Sequence, residues 1–292
     1  GYRTHDNRAN DILLLDRAAR RCGLDAGHDD IANIGGLTVG THREINLETL
    51  NRRLGLIANN AGDPTACIRG LSTQAYSAAL LAWFESHDLA GFKQWAYVSG
   101  KLDCLARRRE AAWLRDFHLL MPLLSDHSGL INWFAHHEAG HDPHYYEKPR
   151  HFADFHSYQI MLALRGEWEP LVRRSEEGLA GTATRYKRFL LDYHFYIALA
   201  QGDVPAMESC LAELTSPKVA RTRNHEFEFG LTEHFISTYG VIFAKLAWRH
   251  GFRVQVDSPY IPAAWLPVHP LPHYEDIYPF MGEFDPGSTA AS

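Results

Sequence analysis

At 292 residues the chain can bury a substantial core, as one large domain or two small ones. Hydrophobic residues make up 46% and charged residues 22%, the balance of a soluble globule. The formal net charge of −6 argues against non-specific nucleic-acid binding, and no apolar run is long enough to cross a bilayer.

The first ten residues are polar, so no signal peptide is expected there. Asn10 to Cys22 has apolar residues at helical spacing, with Gly23 as its stop. Asp25 to Thr41 is rich in Gly and Asp and reads as a loop. Its Gly35-Gly36-Leu37-Thr38-Val39-Gly40 lacks the strand and the glycine spacing of a dinucleotide loop. Leu47 to Ala61 reads as a helix. Asp63-Pro64 then supplies an N-cap and a proline at the first helical position, opening a helix to about Glu85. Asp88 caps another, expected to end near Gly100. Leu102 to Leu120 reads as a long amphipathic helix ended by Pro122. Its Arg107-Arg108-Arg109 run is a solvated face rather than a phosphate site in so acidic a chain. Asp126 is expected to cap the helix that carries Ile131, Phe134 and Ala135.

Pro149 is expected to open a helix closed by Gly166, and Pro170 one reaching about Leu179. Thr184 to Gln201 follows, stopped by Gly202, and Pro205 opens Ala206 to Leu214. The string at Gly166-Glu167 matches that at Gly202-Asp203, 36 residues later. In both, a helix ends in glycine, an acidic residue follows, and a second helix begins. The offset is close to the ~34-residue period of helix–turn–helix repeats. Phe227 to His250 reads as the last helix, and Arg253 to Val256 as a short extended segment.

Beyond it the composition changes. Seven of the 14 prolines lie between Pro259 and Pro286, which excludes a long helix or a central strand. Asp257, Glu275, Asp276, Glu283 and Asp285 give this tail a charge of −5, and Arg253 is the last basic residue before it. A segment that also holds Trp265, Tyr274, Tyr278 and Phe284 is expected to wrap against helices. The expected architecture is therefore all-α, about ten helices stacked as antiparallel pairs. Residues 1–256 would form one helical domain, with N-terminal helices over 1–141 and helix pairs over 150–251. Residues 257–292 would be the tail wrapping on it.

The four cysteines, Cys22, Cys67, Cys104 and Cys210, are far apart and form no C-x-x-C. They read as reduced thiols, consistent with a cytoplasmic protein. Six of the 18 histidines fall between Trp133 and Met161, and His137-Glu138-Ala139-Gly140-His141 matches H-E-x-x-H. In that motif two histidines one helical turn apart bind zinc and the glutamate activates water. In a chain this rich in histidine the pattern arises by chance about once in fifteen sequences. Pro143 also breaks the helix just where His141 would need a rigid turn. The expectation is no metal, no cofactor and no catalytic residue. A zinc hydrolase using His137, Glu138 and His141 is the alternative.

Leu191-Asp192-Tyr193-His194-Phe195-Tyr196-Ile197-Ala198-Leu199-Ala200-Gln201-Gly202-Asp203 carries a further signal. So do Phe243-Ala244-Lys245-Leu246-Ala247-Trp248-Arg249-His250-Gly251 and Val256-Asp257-Ser258-Pro259-Tyr260-Ile261-Pro262. Together with Tyr274-Glu275-Asp276-Ile277-Tyr278, they resemble immunity family 49 of bacterial polymorphic toxin systems, over roughly residues 150–285. The resemblance implies a mostly helical cytoplasmic protein that binds and neutralises a cognate toxin domain. Such toxins are often nucleases or other enzymes acting on nucleic acid or nucleotides. It implies no catalytic residues. With the acidic balance and the short apolar runs, no direct contact with nucleic acid or membrane is expected, and the oligomeric state stays open. The acidic tail suits a basic partner, and Tyr274, Glu275, Asp276 and Tyr278 are the candidate contacts.

Overall fold

The computed structural model describes residues 39–110, 116–137, 152–181, 187, 189–227, 232 and 235–288. Among these residues the protein is all-α, with eleven α-helices and no strand. They are α1 (Val39–Ala58), α2 (Pro64–Ser86), α3 (Leu89–Arg109), α4 (Leu120–Ser125), α5 (Ser128–His136), α6 (Phe152–Arg165), α7 (Trp168–Gly181), α8 (Leu190–Gln201), α9 (Val204–Leu214), α10 (Pro217–Phe227) and α11 (Thr238–Arg249). Short 3₁₀ turns cover Asp116–Leu119, Ala263–Trp265 and Pro279–Glu283. The expected helix at Asn10 to Cys22 lies outside the described residues.

The helix starts follow the capping chemistry of the sequence. The Asp63, Asp88 and Asp203 side chains each accept from the backbone N–H three residues on. Between α2 and α3 the chain reverses in two residues. His87 takes a left-handed conformation (φ 52°) and closes α2, and Asp88 at once caps α3. The two turns spaced 36 residues apart use the same bonds. Gly166 and Gly202 both adopt positive φ (71° and 69°), and the next N–H reaches back to Leu162 and Ala198 respectively. Each turn joins two packed helices, α6 with α7 and α8 with α9.

Several boundaries differ from the sequence reading; helix α8, for one, begins at Leu190 rather than Thr184, and four further differences concern α1, α3, α10 and α11. Helix α1 begins at Val39 rather than Leu47. Helix α3 runs straight through Gly100 to Arg109, replacing the expected pair of helices. Gly100 marks a close approach, not a stop: a Cβ there would lie 2.7 Å from the Leu130 side chain and 3.2 Å from Pro122. Pro122 sits in the first turn of α4, where its missing N–H costs nothing. Third, Pro217 opens the unforeseen helix α10 at its first position. Fourth, α11 begins only at Thr238, capped by the Ser237 hydroxyl.

One cluster of buried side chains runs from Ile57 to Phe284. Its aromatic centre joins helix and tail. Trp265 is fully buried and stacks on Phe92 at 4.3 Å, with Trp83 and Phe84 edge-on around it. Phe195 of α8 stacks on Phe243 of α11 at 4.8 Å, tying the helix pairs to the same core.

Candidate functional site

The proline-rich tail sets a polar problem before it sets a functional one. Prolines 267, 270 and 272 have no N–H, and the irregular backbone around them leaves carbonyls without a ladder partner. The helices answer with two lysines. Lys245 of α11 donates to the carbonyls of Trp265, Leu266 and Pro267 at 2.8, 3.2 and 3.0 Å. Lys93 of α3 donates to the His269 carbonyl. Asp126 stands between them, 2.8 Å from Lys245 Nζ and 2.8 Å from Lys93 Nζ, and also accepts from the His269 N–H at 3.2 Å. All three ionic side chains are buried.

Asp126 was expected to cap α5. It instead occupies the left-handed turn that ends α4 (φ 60°), and the His127 side chain caps α5 by accepting from the Leu130 N–H. Two cations around one anion leave a net positive charge in the interior, and the negative ends of the tail carbonyls face it. Burial pushes the Lys245 amine down to about 8, the Asp126 charge opposes this, and Lys93 and Arg249 add to it.

A testable pH dependence follows. A lysine that ionises near pH 8 when folded and near 10.5 when unfolded binds fewer protons in the folded state between those values. Its contribution to stability therefore rises with pH across that window. The buried thiol of Cys104, the half-buried thiol of Cys210 and the tyrosines Tyr97, Tyr274 and Tyr278, all with raised pKa, act in the opposite direction. The difference between wild type and Lys245→Met cancels those groups. Measured by urea denaturation, it should move in favour of wild type from about pH 7.5 to about pH 10; a flat difference contradicts the assignment.

Past the ionic centre the tail lies along α3 as an extended strap, and its side chains alternate between helix and solvent. Tyr274 packs its ring against Tyr97 and His127 at 4.9 and 5.0 Å, and its hydroxyl donates to the Ser125 carbonyl. Asp276 accepts two bonds from Lys101 (2.7 and 2.8 Å) and one from the Tyr97 hydroxyl (2.9 Å). Tyr278 is half-buried and stacks parallel to Phe280. Of the four sequence-predicted contact residues, Tyr274 and Asp276 thus fasten the strap to the helices, and Tyr278 packs partly buried against the core. Glu275 is the exception. Its backbone N–H and carbonyl are both bound by the Gln94 side-chain amide, at 3.0 and 2.7 Å, while its carboxylate faces solvent. Ile277 faces the same way and is 37% exposed, the one exposed large hydrophobic side chain among the described residues.

Lys93, Lys101, Lys245 and Ile277 were not among the residues the sequence pattern singled out. A usable signal existed for Lys245: it is a lone charge inside the apolar run Val241 to Trp248, where a charge must find a buried partner.

Of the H-E-x-x-H residues, Glu138 and His141 lie outside the described residues. His137 ends α5, its ring stacked on Trp133 at 4.3 Å. Among the described residues no group of three or more potential metal ligands comes together, and no helix is long and apolar enough to cross a membrane.

A second buried ionic cluster lies among the helix pairs. Asp192 receives a bidentate pair of bonds from Arg223 at 2.8 and 3.0 Å, with His156 Nδ1 3.7 Å away. Beside it, helices α8 and α10 flank an open cleft of about 470 Å³. Leu190, Leu191 and Val219 line it, with Lys187, Lys218 and Glu213 at the rim.

No curated protein and no solved structure matches the chain. Residues 158–265 match the family model described as Imm49, Immunity protein 49. This matched block runs from within α6 to the Trp265 turn, includes both the Asp192–Arg223 pair and Lys245, and supports the immunity family that the sequence resembles.

Proposed function

We propose that the protein is an immunity protein: it binds a cognate bacterial toxin domain in the cytoplasm and blocks that domain's active site or substrate path. The toxin is an enzyme acting on nucleic acid or nucleotides, and the immunity protein itself catalyses nothing. The observation that carries this reading is the match of residues 158–265 to the Imm49 family model. The architecture agrees with it. Stacked helix pairs with a strap laid across them offer a broad rigid surface, and the tail's acidic charge favours a basic partner. Tyr274, Asp276 and Tyr278 serve such an interface by holding the strap, and Glu275 by facing out from it.

The test is co-expression with the toxin encoded beside this gene. Cells should survive, and the two proteins should elute together as a 1:1 complex on gel filtration. Death of cells that contain abundant folded protein, with no complex formed, rejects the reading. The zinc-hydrolase alternative, which rests on the H-E-x-x-H string alone, gains nothing from the described residues.

A further inference from the structure

We infer that the outward row of the strap, Glu275 and Ile277, is the surface on which the toxin docks, and that the toxin meets it with a basic side chain beside an apolar recess. The inference rests on the immunity reading above and names the surface through which it acts.

Three observations select this row. The first is chemical. Ile277 is 37% exposed, more than any other large hydrophobic side chain of the described residues. A single exposed isoleucine is ordinary on a protein surface, and what distinguishes this one is its setting.

The second observation is that setting. The strap from Tyr274 to Asp276 is tied to the helices residue by residue. Gln94 clamps the Glu275 backbone on both sides, Lys101 and Tyr97 hold Asp276, and Ser125 holds Tyr274. Further back, the Asp126 centre grips the backbone from Trp265 to His269. A proline-rich tail would otherwise lose much conformational freedom on binding. Here these bonds hold the segment in place before any partner arrives, which is the condition for a short segment to bind tightly.

The third is electrostatic. The carboxylates of the strap are not equivalent. Asp276 is matched by Lys101, so its field is largely cancelled. The Glu275 carboxylate meets no cation among the described residues and projects its field outward, and Asp257 and Glu283 are exposed on the same tail. An unpaired acid next to an apolar side chain selects a basic residue beside a recess, and disfavours an acidic face.

The probe is the toxin domain encoded beside this gene, purified as a catalytically inactive variant and titrated against the full immunity chain. Glu275→Lys/Ile277→Asp alters only exposed side chains, so its melting temperature should match wild type. Its affinity should fall by about 30-fold or more, the scale of a lost hot spot. Glu275→Lys alone should slow association, and the effect should fade with added salt. Lys187→Glu/Lys218→Glu, on the cleft between α8 and α10, should bind like wild type. If wild type binds but the strap variant binds within about three-fold of it, the docking surface is wrong and the immunity reading stands. Loss of binding in the cleft variant alone moves the interface to the cleft and likewise overturns the proposal. If wild type itself forms no complex, the immunity reading fails and the docking surface falls with it.

Discussion

Asp126→Ala should be among the most destabilising single substitutions in this protein, costing about 3–5 kcal/mol. The reason is what remains behind. Lys93 and Lys245 are buried on either side of Asp126, each 2.8 Å from its carboxylate. Without the anion two cations face each other in a site that water does not reach, and the carbonyls of the tail cannot neutralise both. For a chain of this size the loss corresponds to a fall in melting temperature on the order of 10 °C. A double-variant cycle tests the cause. Lys93→Met alone removes one cation and leaves Asp126 paired with Lys245. In the Asp126→Ala background the same change removes the repulsion, so it should recover part of the loss. Melting of Asp126→Ala within about 2 °C of wild type, or a Lys93→Met effect that is unchanged in that background, contradicts this account.

The position of Asp126 shows where sequence reasoning ends. It stands just before an apolar helical run, as an N-cap should, and the local pattern alone reads it that way. Its partners lie on α3 and α11, far off in the chain, and a distant lysine leaves no mark on local periodicity. Asp63, Asp88 and Asp203 obey the same rule and do cap, because their partner is the backbone three residues away. Gly100 fails for a related reason. Glycine after a helical run signals a stop, but this glycine is there because Pro122 of α4 and Leu130 of α5 press on its face.

The all-α class and the turns at Gly166 and Gly202 were legible because they depend on bonds within a few residues. The candidate site was legible in part. Composition points to the tail, and the resemblance points to a toxin as the partner. The two-residue alternation that turns Tyr274 and Asp276 inward and Glu275 outward could not be phased without knowing which side α3 occupies. Four residues that look alike in sequence, aromatic or acidic in one short string, therefore divide into fasteners and a solvent-facing acid.

Arg223→Met should carry the second large effect, about 3–5 kcal/mol near neutral pH, and this effect should depend on pH. Arg223 and Asp192 are both fully buried and joined by two bonds, and the guanidinium also lies over the rings of Phe189 and Tyr239 at 4.6 and 4.7 Å. Methionine retains much of the apolar stem but leaves the carboxylate without its cation. Burial already raises the Asp192 pKa, and Arg223 is what opposes that rise. Without it the Asp192 pKa climbs further. His156 changes in the same sense. Burial first, then the charges of Arg223 and Arg174, hold its pKa well below the ordinary 6.5. In wild type this histidine stays neutral when folded and takes a proton when unfolded, so it subtracts stability as the pH falls through 6.5. In the variant the Arg223 field is gone and an unpaired carboxylate sits 3.7 Å away, so the folded His156–Asp192 pair accepts a proton. Whichever of the two holds it, the pair titrates as a unit and the buried charge is relieved. The folded variant thus binds more protons than folded wild type, and the cost of Arg223→Met should shrink between about pH 7.5 and pH 5.5. Urea denaturation of both proteins at the two pH values measures this directly. A penalty of the same size at both would mean that the pair takes up no proton, and that the loss comes from the guanidinium's ring contacts instead.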